Sequence, residues 1–171
     1  MARKTQQVES RLIAEYMKEK YSKFPYILKQ PLGKISDTLM ADLGYDKAIR
    51  LSRPSRPEVD AVVILPKHLI LIEAKVWSVV NGLAKLPLYK SLVPVTPELR
   101  DYQDKELLME LVVAWSNDNL EIMARAAGAT VKVYHPPWVE DIVANMHNYW
   151  TADYRAQRAE KLRLREELGL D

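Results

Sequence analysis

The chain has 171 residues, of which 48% are hydrophobic and 28% charged, and its formal net charge is only +2. This length suits one domain with a substantial core and is too short for two comfortable ones. Because the net charge is so small, a nucleic-acid role has to be argued from clusters of basic residues and not from total charge. The absence of cysteine excludes disulfides, thiolate metal sites and a cysteine nucleophile.

Several other classes of protein are disfavoured by missing sequence signals. No apolar run approaches the length of a membrane span, and the N-terminal segment lacks the apolar stretch of a secretory signal. We therefore expect a cytoplasmic protein with no membrane partner. No Gly-rich phosphate loop and no G-x-S-x-G motif occur, which argues against NTPase and serine-hydrolase chemistry.

The N-terminal third predicts helices, followed by a stiff loop. Apolar residues recur every three to four positions from Val8 to Tyr21, which indicates a helix. The next segment is broken by proline and glycine, and it is predicted to hold a short helix near Ser36–Leu43 and a strand near Ala48–Leu51. Each proline of Arg53–Pro57 restricts itself and the residue before it, so this stretch should be extended.

The rest of the chain alternates between strand and helix patterns. It is predicted to contain, in order, a hairpin of two apolar strands between Glu58 and Trp77, a helix beginning near Val79 with Pro87 as its weak point, a buried strand at Glu106–Trp115, a helix at Asp118–Gly128 ended by a glycine cap, a strand at Thr130–His135, a helix after a proline pair, and a last helix from Thr151 to Gly169. This order predicts an α/β fold in which helices flank a mixed β-sheet. We expect residues 1–150 to form the core and residues 151–171 a basic helical extension.

Charged residues collect at one end of the predicted hairpin. A turn centred on Pro66 and Lys67 places Asp60 opposite Glu73 and Glu58 opposite Lys75, with all four side chains on one face. Like charges that face each other directly destabilise a sheet, so the two acidic side chains require a cation. A bulge at Pro66 would shift this register by one residue.

Two interpretations of this charged end are open. Paired carboxylates suit Mg²⁺, which prefers oxygen ligands, and Lys75 is placed to hold an attacking water or to stabilise charge developing on a phosphate. Alternatively, the end of the hairpin is frayed and solvated, and Glu58 and Lys75 form a surface ion pair of little energetic value.

The motif itself resembles a known family. Pro57-Glu58-Val59-Asp60, then a hydrophobic strand, then Ile72-Glu73-Ala74-Lys75 is similar to the pattern of the PD-(D/E)XK nuclease superfamily, which includes restriction endonucleases, junction resolvases and phage exonucleases. The resemblance extends from the first helix to about Tyr89 and implies a restriction endonuclease-like core. It further implies that Asp60 and Glu73 bind Mg²⁺ or Mn²⁺, that Lys75 is the catalytic lysine, and that the carbonyl of Ala74 can add a ligand.

Many members of this superfamily add a metal ligand from the first helix. Glu9 is the preferred candidate because it lies one turn before the buried pair Leu12-Ile13. Glu15 and Glu19 are rivals, and for each of the three the alternative is a solvated helix face.

Further residues are candidates for DNA contact. Some nuclease branches carry Gln-x-x-x-Tyr on the helix after the lysine; here Tyr89 is kept and Lys85 replaces the glutamine, where it can contact a phosphate. Arg53 and Arg56 flank the Asp60 strand, although a merely solvated loop is nearly as plausible. The last helix carries a basic series that begins with Arg155 and Arg158, and such a helix indicates nucleic-acid binding, a solvated surface or a dimer contact.

The leading hypothesis is a Mg²⁺-dependent DNA nuclease. The chain looks too small for a separate target-recognition domain, so an endonucleolytic or structure-specific enzyme, of the junction-resolving or phage DNA-processing kind, is expected, acting as a homodimer. One alternative is a nucleic-acid-binding or assembly protein that keeps the fold without cleaving. A weaker alternative is a small-molecule α/β enzyme that uses the same carboxylates.

Overall fold

The computed structural model describes residues 2–146, 152–167 and 169. The chain forms two compact units, Met1–His135 and Pro136–Asp171. The first unit contains, in chain order, α1 (Ala2–Lys20), β1 (Tyr26–Pro31), α2 (Asp37–Leu43), α3 (Tyr45–Ser52), β2 (Glu58–Ile64), β3 (His68–Lys75), α4 (Val79–Leu92), β4 (Glu106–Val113), α5 (Asp118–Ala126) and β5 (Thr130–Val133). The second contains α6 (Pro137–Met146) and α7 (Ala152–Glu167). The predicted boundary between residues 150 and 151 lies outside the described residues.

The sheet of the first unit has five strands in the order β1-β2-β3-β4-β5. β2 runs antiparallel to both β1 and β3, whereas β4 runs parallel to β3 and β5 runs parallel to β4. Parallel neighbours need a crossover, and α4 and α5 are those crossovers. The predicted fold class, an α/β fold with helices flanking a mixed sheet, is confirmed.

The two faces of the sheet are covered by different helices. Leu71, which pairs with Met109, joins a buried apolar cluster with Leu86 of α4. The neighbouring pair Ile72 and Glu110 points the other way, because side chains alternate along a strand. On that second face Glu110 accepts a hydrogen bond from Tyr16 of α1. The helices α4 and α1 therefore lie on opposite faces of the hairpin strands.

The hairpin has the register predicted from the turn. Ala61 pairs with Ile72 and Ile64 with Leu69, so no bulge shifts the pairing. Pro87 lies inside α4 on its exposed side, where the helix continues past it. Among the described helices, none is both long and apolar enough to cross a membrane.

Three segments differ from the predictions. Arg53–Pro57 was expected to be extended throughout, but Arg53–Ser55 form a 3-10 turn, whose first turn accepts Pro54 because an N–H would be unpaired there, and the backbone is extended at Arg56. Residues predicted to form a strand near Ala48–Leu51 belong to α3, a short amphipathic helix that buries Ala48 and Ser52 four positions apart. The strand β1 was not predicted, because prolines at both ends of a six-residue segment suggested a break. Pro31 is tolerated because β1 is an edge strand, where a missing N–H donor leaves no neighbour unpaired.

Candidate active site at the end of the hairpin

The backbone pairing of β2 with β3 ends next to Asp60, where a side-chain hydrogen bond joins the two strands instead. The antiparallel pairs run as far as Ala61 and Ile72, and beyond them Oδ2 of Asp60 accepts a hydrogen bond of 2.9 Å from the backbone N–H of Ala74. This bond fixes the carboxylate of Asp60 across the gap to β3. Asp60 is 7% exposed and Glu73 2% exposed, so both carboxylates are buried at this end of the sheet.

Glu73 is the most deeply buried acid of the site. Its Oε1 lies 3.3 Å from Nζ of Lys75 and 3.4 Å from Nζ of Lys85. Its Oε2 is buried and has no hydrogen-bond partner among the described residues. Burial, and next the charge of Asp60, raise the pKa of Glu73, although Lys75 and Lys85 oppose this rise. One oxygen of this buried acid is thus left without a donor from any residue that the structure describes.

Lys75 connects the hairpin to the first helix. Its Nζ donates to Oε2 of Glu9 at 2.9 Å while it lies beside Glu73. Burial acts to lower the pKa of Lys75, but Glu73, Glu9 and Asp60 together outweigh burial and raise it. Lys75 is therefore an ammonium, held between two carboxylates that come from β3 and α1.

The solvated-end interpretation of the hairpin is wrong. It required an ion pair between Glu58 and Lys75, but Glu58 instead accepts from Arg53 at 2.9 Å. Lys75 is largely buried, with a side-chain exposure of 14%. The charges at this end form a connected cluster and not a frayed surface.

Of the three candidate glutamates in α1, Glu9 reaches this cluster. Glu15 pairs with Arg11 one turn away on the same helix, at 2.9 Å. Glu19 pairs with Lys20 at 2.7 Å. The preference for Glu9, which rested on its place next to the buried stripe, agrees with this geometry, and its role as a metal ligand stays a prediction.

A cation that the sequence analysis missed completes the cluster. Lys29 of β1 forms an ion pair with Oδ1 of Asp60. Its backbone is in the left-handed region, with φ of 53°, and its carbonyl accepts from Arg53 at 2.7 Å. Because β1 itself was not predicted, the sequence carried no signal that would bring Lys29 to the hairpin.

The two α4 residues differ in what they can contact. Lys85 has a side-chain exposure of 47% and lies beside Glu73, so it remains accessible to a phosphate. Tyr89 is 5% exposed. Burial raises the pKa of Tyr89, followed by the charges of Glu73, Asp60 and Glu58. Tyr89 is thus a buried residue of the core near the acids, and the prediction that it contacts DNA is wrong because its side chain is not accessible.

The predicted phosphate contact of Arg56 also needs correction. Its side chain is 4% exposed, and the guanidinium donates two hydrogen bonds of 2.6 and 2.8 Å to Glu98 and a third to the carbonyl of Pro31. A side chain held in this way fixes the loop before β2 and is not available to a phosphate. Arg53 is half exposed but is engaged by Glu58 and by the backbone of Lys29.

The basic helix belongs to the second unit. Arg158 is exposed on α7. The side chain of Arg155 lies outside the described residues. Their contact with DNA stays a prediction.

The chemistry of the site suits a divalent cation only in part. Within the described residues, no group of three or more histidines, aspartates and glutamates is arranged to hold a metal ion. Lysines lie between the acids instead: Lys29 on Asp60, and Lys75 between Glu9 and Glu73. The free Oε2 of buried Glu73 is nevertheless the kind of oxygen that Mg²⁺ binds. The cluster therefore has suitable donor atoms that are, for the most part, paired with ammonium groups.

Charges within the cluster balance. Its acids are Glu9, Glu58, Asp60 and Glu73, and the cations in contact with them are Lys29, Arg53, Lys75 and Lys85. A balanced cluster has little attraction for a phosphate, whereas a bound divalent cation would give it a positive excess.

Neither a family model nor a curated protein sequence matches this chain. A solved structure with some similarity is a repair endonuclease from Pyrococcus abyssi, at 15% identity and a TM-score of 0.35. The match covers 61% of this chain and 49% of that one, so the chain spans about half the length of that protein. A likeness of this size carries no argument about activity.

Proposed function

We propose that this protein is a Mg²⁺- or Mn²⁺-dependent nuclease of the PD-(D/E)XK type that hydrolyses DNA phosphodiesters. The observation that carries the proposal is the buried acid pair, in which Oε2 of Glu73 has no hydrogen-bond partner in the described part of the chain while Lys75 lies beside Oε1. A buried unpaired carboxylate oxygen destabilises a fold, so its presence favours a functional use. The motif of Asp60, Glu73 and Lys75 supplies the reaction class.

In this proposal Asp60, Glu73 and Glu9 hold the metal ion, with the carbonyl of Ala74 as a further candidate. The bound ion would supply a positive charge for the phosphate and a water molecule that ionises more readily. The hydrogen bond from the Ala74 N–H keeps the Asp60 carboxylate in place before any ligand arrives. Such preorganisation is what electrostatic catalysis requires.

The lysines have separate roles. Lys75, an ammonium tethered to Glu9 and Glu73, is placed to orient the attacking water or to stabilise the charge that develops on the phosphate. Lys85 is half exposed and can contact a phosphate of the bound strand. Because the cluster is charge-balanced without metal, metal and DNA should each strengthen the binding of the other.

The test is direct. The protein is incubated with plasmid, linear, single-stranded and four-way-junction DNA, each with Mg²⁺, Mn²⁺ or EDTA, beside an Asp60→Asn control. We expect cleavage with either metal, none with EDTA, and none by the variant. Absence of cleavage for every substrate and metal would end the enzyme proposal.

The pairing of acids with lysines favours one alternative, a nucleic-acid-binding protein that keeps the fold without cleaving. In that case the acids stay paired with the lysines, and the cluster does not bind a metal ion. DNA binding that is indifferent to Mg²⁺, to EDTA and to Asp60→Asn, together with no cleavage, would support this alternative.

A further inference from the structure

We infer that the ammonium of Lys29, a cation supplied by the protein itself, competes with the metal ion for Asp60. This competition sets the metal concentration at which the site fills. This inference rests on the proposed function, since it concerns the same site. It deepens that proposal by naming a residue outside the motif that regulates metal binding.

The first support is where the ammonium lies. Nζ of Lys29 contacts Oδ1 of Asp60, the carboxylate oxygen that is not used by the N–H of Ala74. Both oxygens of Asp60 are therefore engaged in the structure. A divalent ion that takes Oδ1 is repelled at close range by this ammonium, so the ion binds more readily once the ammonium has moved away.

The second support is the backbone of Lys29. Its φ of 53° is costly for a residue with a side chain, and lysine, unlike asparagine or glycine, has no special tolerance of it. The β1–β2 ladder pairs Leu28 with Ala61 and Gln30 with Val59 but has no pair between them. Lys29, the strained residue, therefore occupies the position opposite Asp60, where the regular pairing of β1 with β2 is interrupted.

The strained conformation is held from outside the strand. Arg53 donates to the carbonyl of Lys29 and, through the same Nη2, to Glu58. Strain of this kind persists where the surroundings fix it and is frequent at functional sites. A lysine that only neutralised a surface acid would not need such support.

The third support is exposure. The side chain of Lys29 is 35% exposed, against 10% for that of Asp60. The ammonium can therefore leave toward solvent when a divalent ion arrives, whereas Asp60 cannot move away. By contrast Lys75 is 14% exposed and stays between Glu9 and Glu73. The two lysines are thus distinguishable: one is displaceable and one is fixed.

The test measures metal binding, and not activity. Mn²⁺ is titrated into the DNA-free protein, and its dissociation constant is measured by calorimetry and by the rise in melting temperature. Lys29→Met removes the ammonium and keeps the apolar stem, and we expect it to bind Mn²⁺ about tenfold more tightly than wild type, the lower end of what one close charge does to a carboxylate. Lys29→Arg keeps a cation and should bind as wild type does.

Two further variants complete the design. Lys29→Gly removes the ammonium and also relieves the backbone at φ of 53°, so it keeps the test available if Lys29→Met folds poorly. The matched control is Lys34→Met, which breaks an exposed lysine–aspartate pair with Asp37 a few residues away and should leave Mn²⁺ affinity unchanged.

The outcomes separate the two proposals. Tighter binding by the Met and Gly variants supports the competition, and binding by these variants when wild type binds none supports it most strongly. Equal or weaker binding by both variants overturns the role of Lys29 and leaves the metal site intact. If Mn²⁺ binds none of the proteins, the metal site fails, and the competition fails with it.

Discussion

At the scale of a single residue, substitution of Lys75 distinguishes a role in the chemical step from a role in DNA binding. We expect Lys75→Met to lower the cleavage rate about a hundredfold or more, as for the loss of one preorganised electrostatic group. DNA affinity should change little, since one charge is a small part of a salt-dependent total. Without metal the variant should melt at a lower temperature, because Glu9 and Glu73 lose the ammonium between them. An active Lys75→Met enzyme would remove Lys75 from the mechanism.

Gly82, which lies beside Lys75, offers a test that moves the Lys75 side chain without removing any charged residue. A Cβ at Gly82 would lie 2.5 Å from Cγ of Lys75 and 3.2 Å from Cδ1 of Leu111. Alanine within a helix is ordinarily better than glycine by about 0.5–1 kcal/mol, but in Gly82→Ala the Cβ overpacks a buried site, and Cγ of Lys75 is too near the backbone to move away cheaply. We expect the new methyl to displace the Lys75 side chain, which should slow cleavage and lower the melting temperature.

The control for this variant is Asn81→Ala, one residue earlier in α4 and exposed to solvent. It makes a similar change in the same helix without approaching Lys75. Equal cleavage rates for the two variants would show that the position of the Lys75 side chain does not matter for the reaction.

At the scale of elements, the α5 crossover begins at a defined cap. The side chain of Asn117 accepts a hydrogen bond of 2.9 Å from the backbone N–H of Leu120. We expect Asn117→Ala to lower the free energy of unfolding by about 1 kcal/mol, the usual effect of losing an N-cap. Chemical denaturation measures it, with Asn119→Ala, exposed in the first turn, as the control. Equal stabilities of the two variants would contradict the cap.

What the sequence could predict depends on how local each signal is. The register of the hairpin follows from a short turn and strand alternation, and the observed pairs from Ile64–Leu69 to Ala61–Ile72 have that register, with Asp60 and Glu73 next beyond the last pair. The first helix has a long apolar stripe, from which Glu9 could be chosen. These signals extend over a few residues or over many regular turns, and both kinds are reliable.

The remaining features depend on contacts between distant segments. Lys29 lies 31 residues before Asp60 in the chain, and its strand has prolines at both ends. The burial of Arg56 depends on Glu98, which is 42 residues away. Neither alternation nor spacing along the sequence predicts such pairs, because the packing of distant helices and strands brings the two residues together.

At the scale of the whole molecule, we expect a homodimer. Cutting both strands of a duplex, or a four-way junction, is most simply done by two active sites related by two-fold symmetry. We expect the contact to involve the start of the last helix, around Trp150 and Tyr154, whose side chains lie outside the described residues. Light scattering with and without DNA gives the mass, and a monomer in both conditions would contradict this prediction.

The position of the hairpin in the sheet has a consequence for how the protein folds. The turn between β2 and β3 brings Asp60, Glu73 and Lys75 together by the shortest loop closure in the sheet, whereas Lys29 arrives on β1, 31 residues before Asp60. The acids and Lys75 should therefore meet early, while still hydrated, and Lys29 should arrive later, when β1 pairs with β2. Substitutions in the turn should then slow folding, and loss of Lys29 should instead speed unfolding.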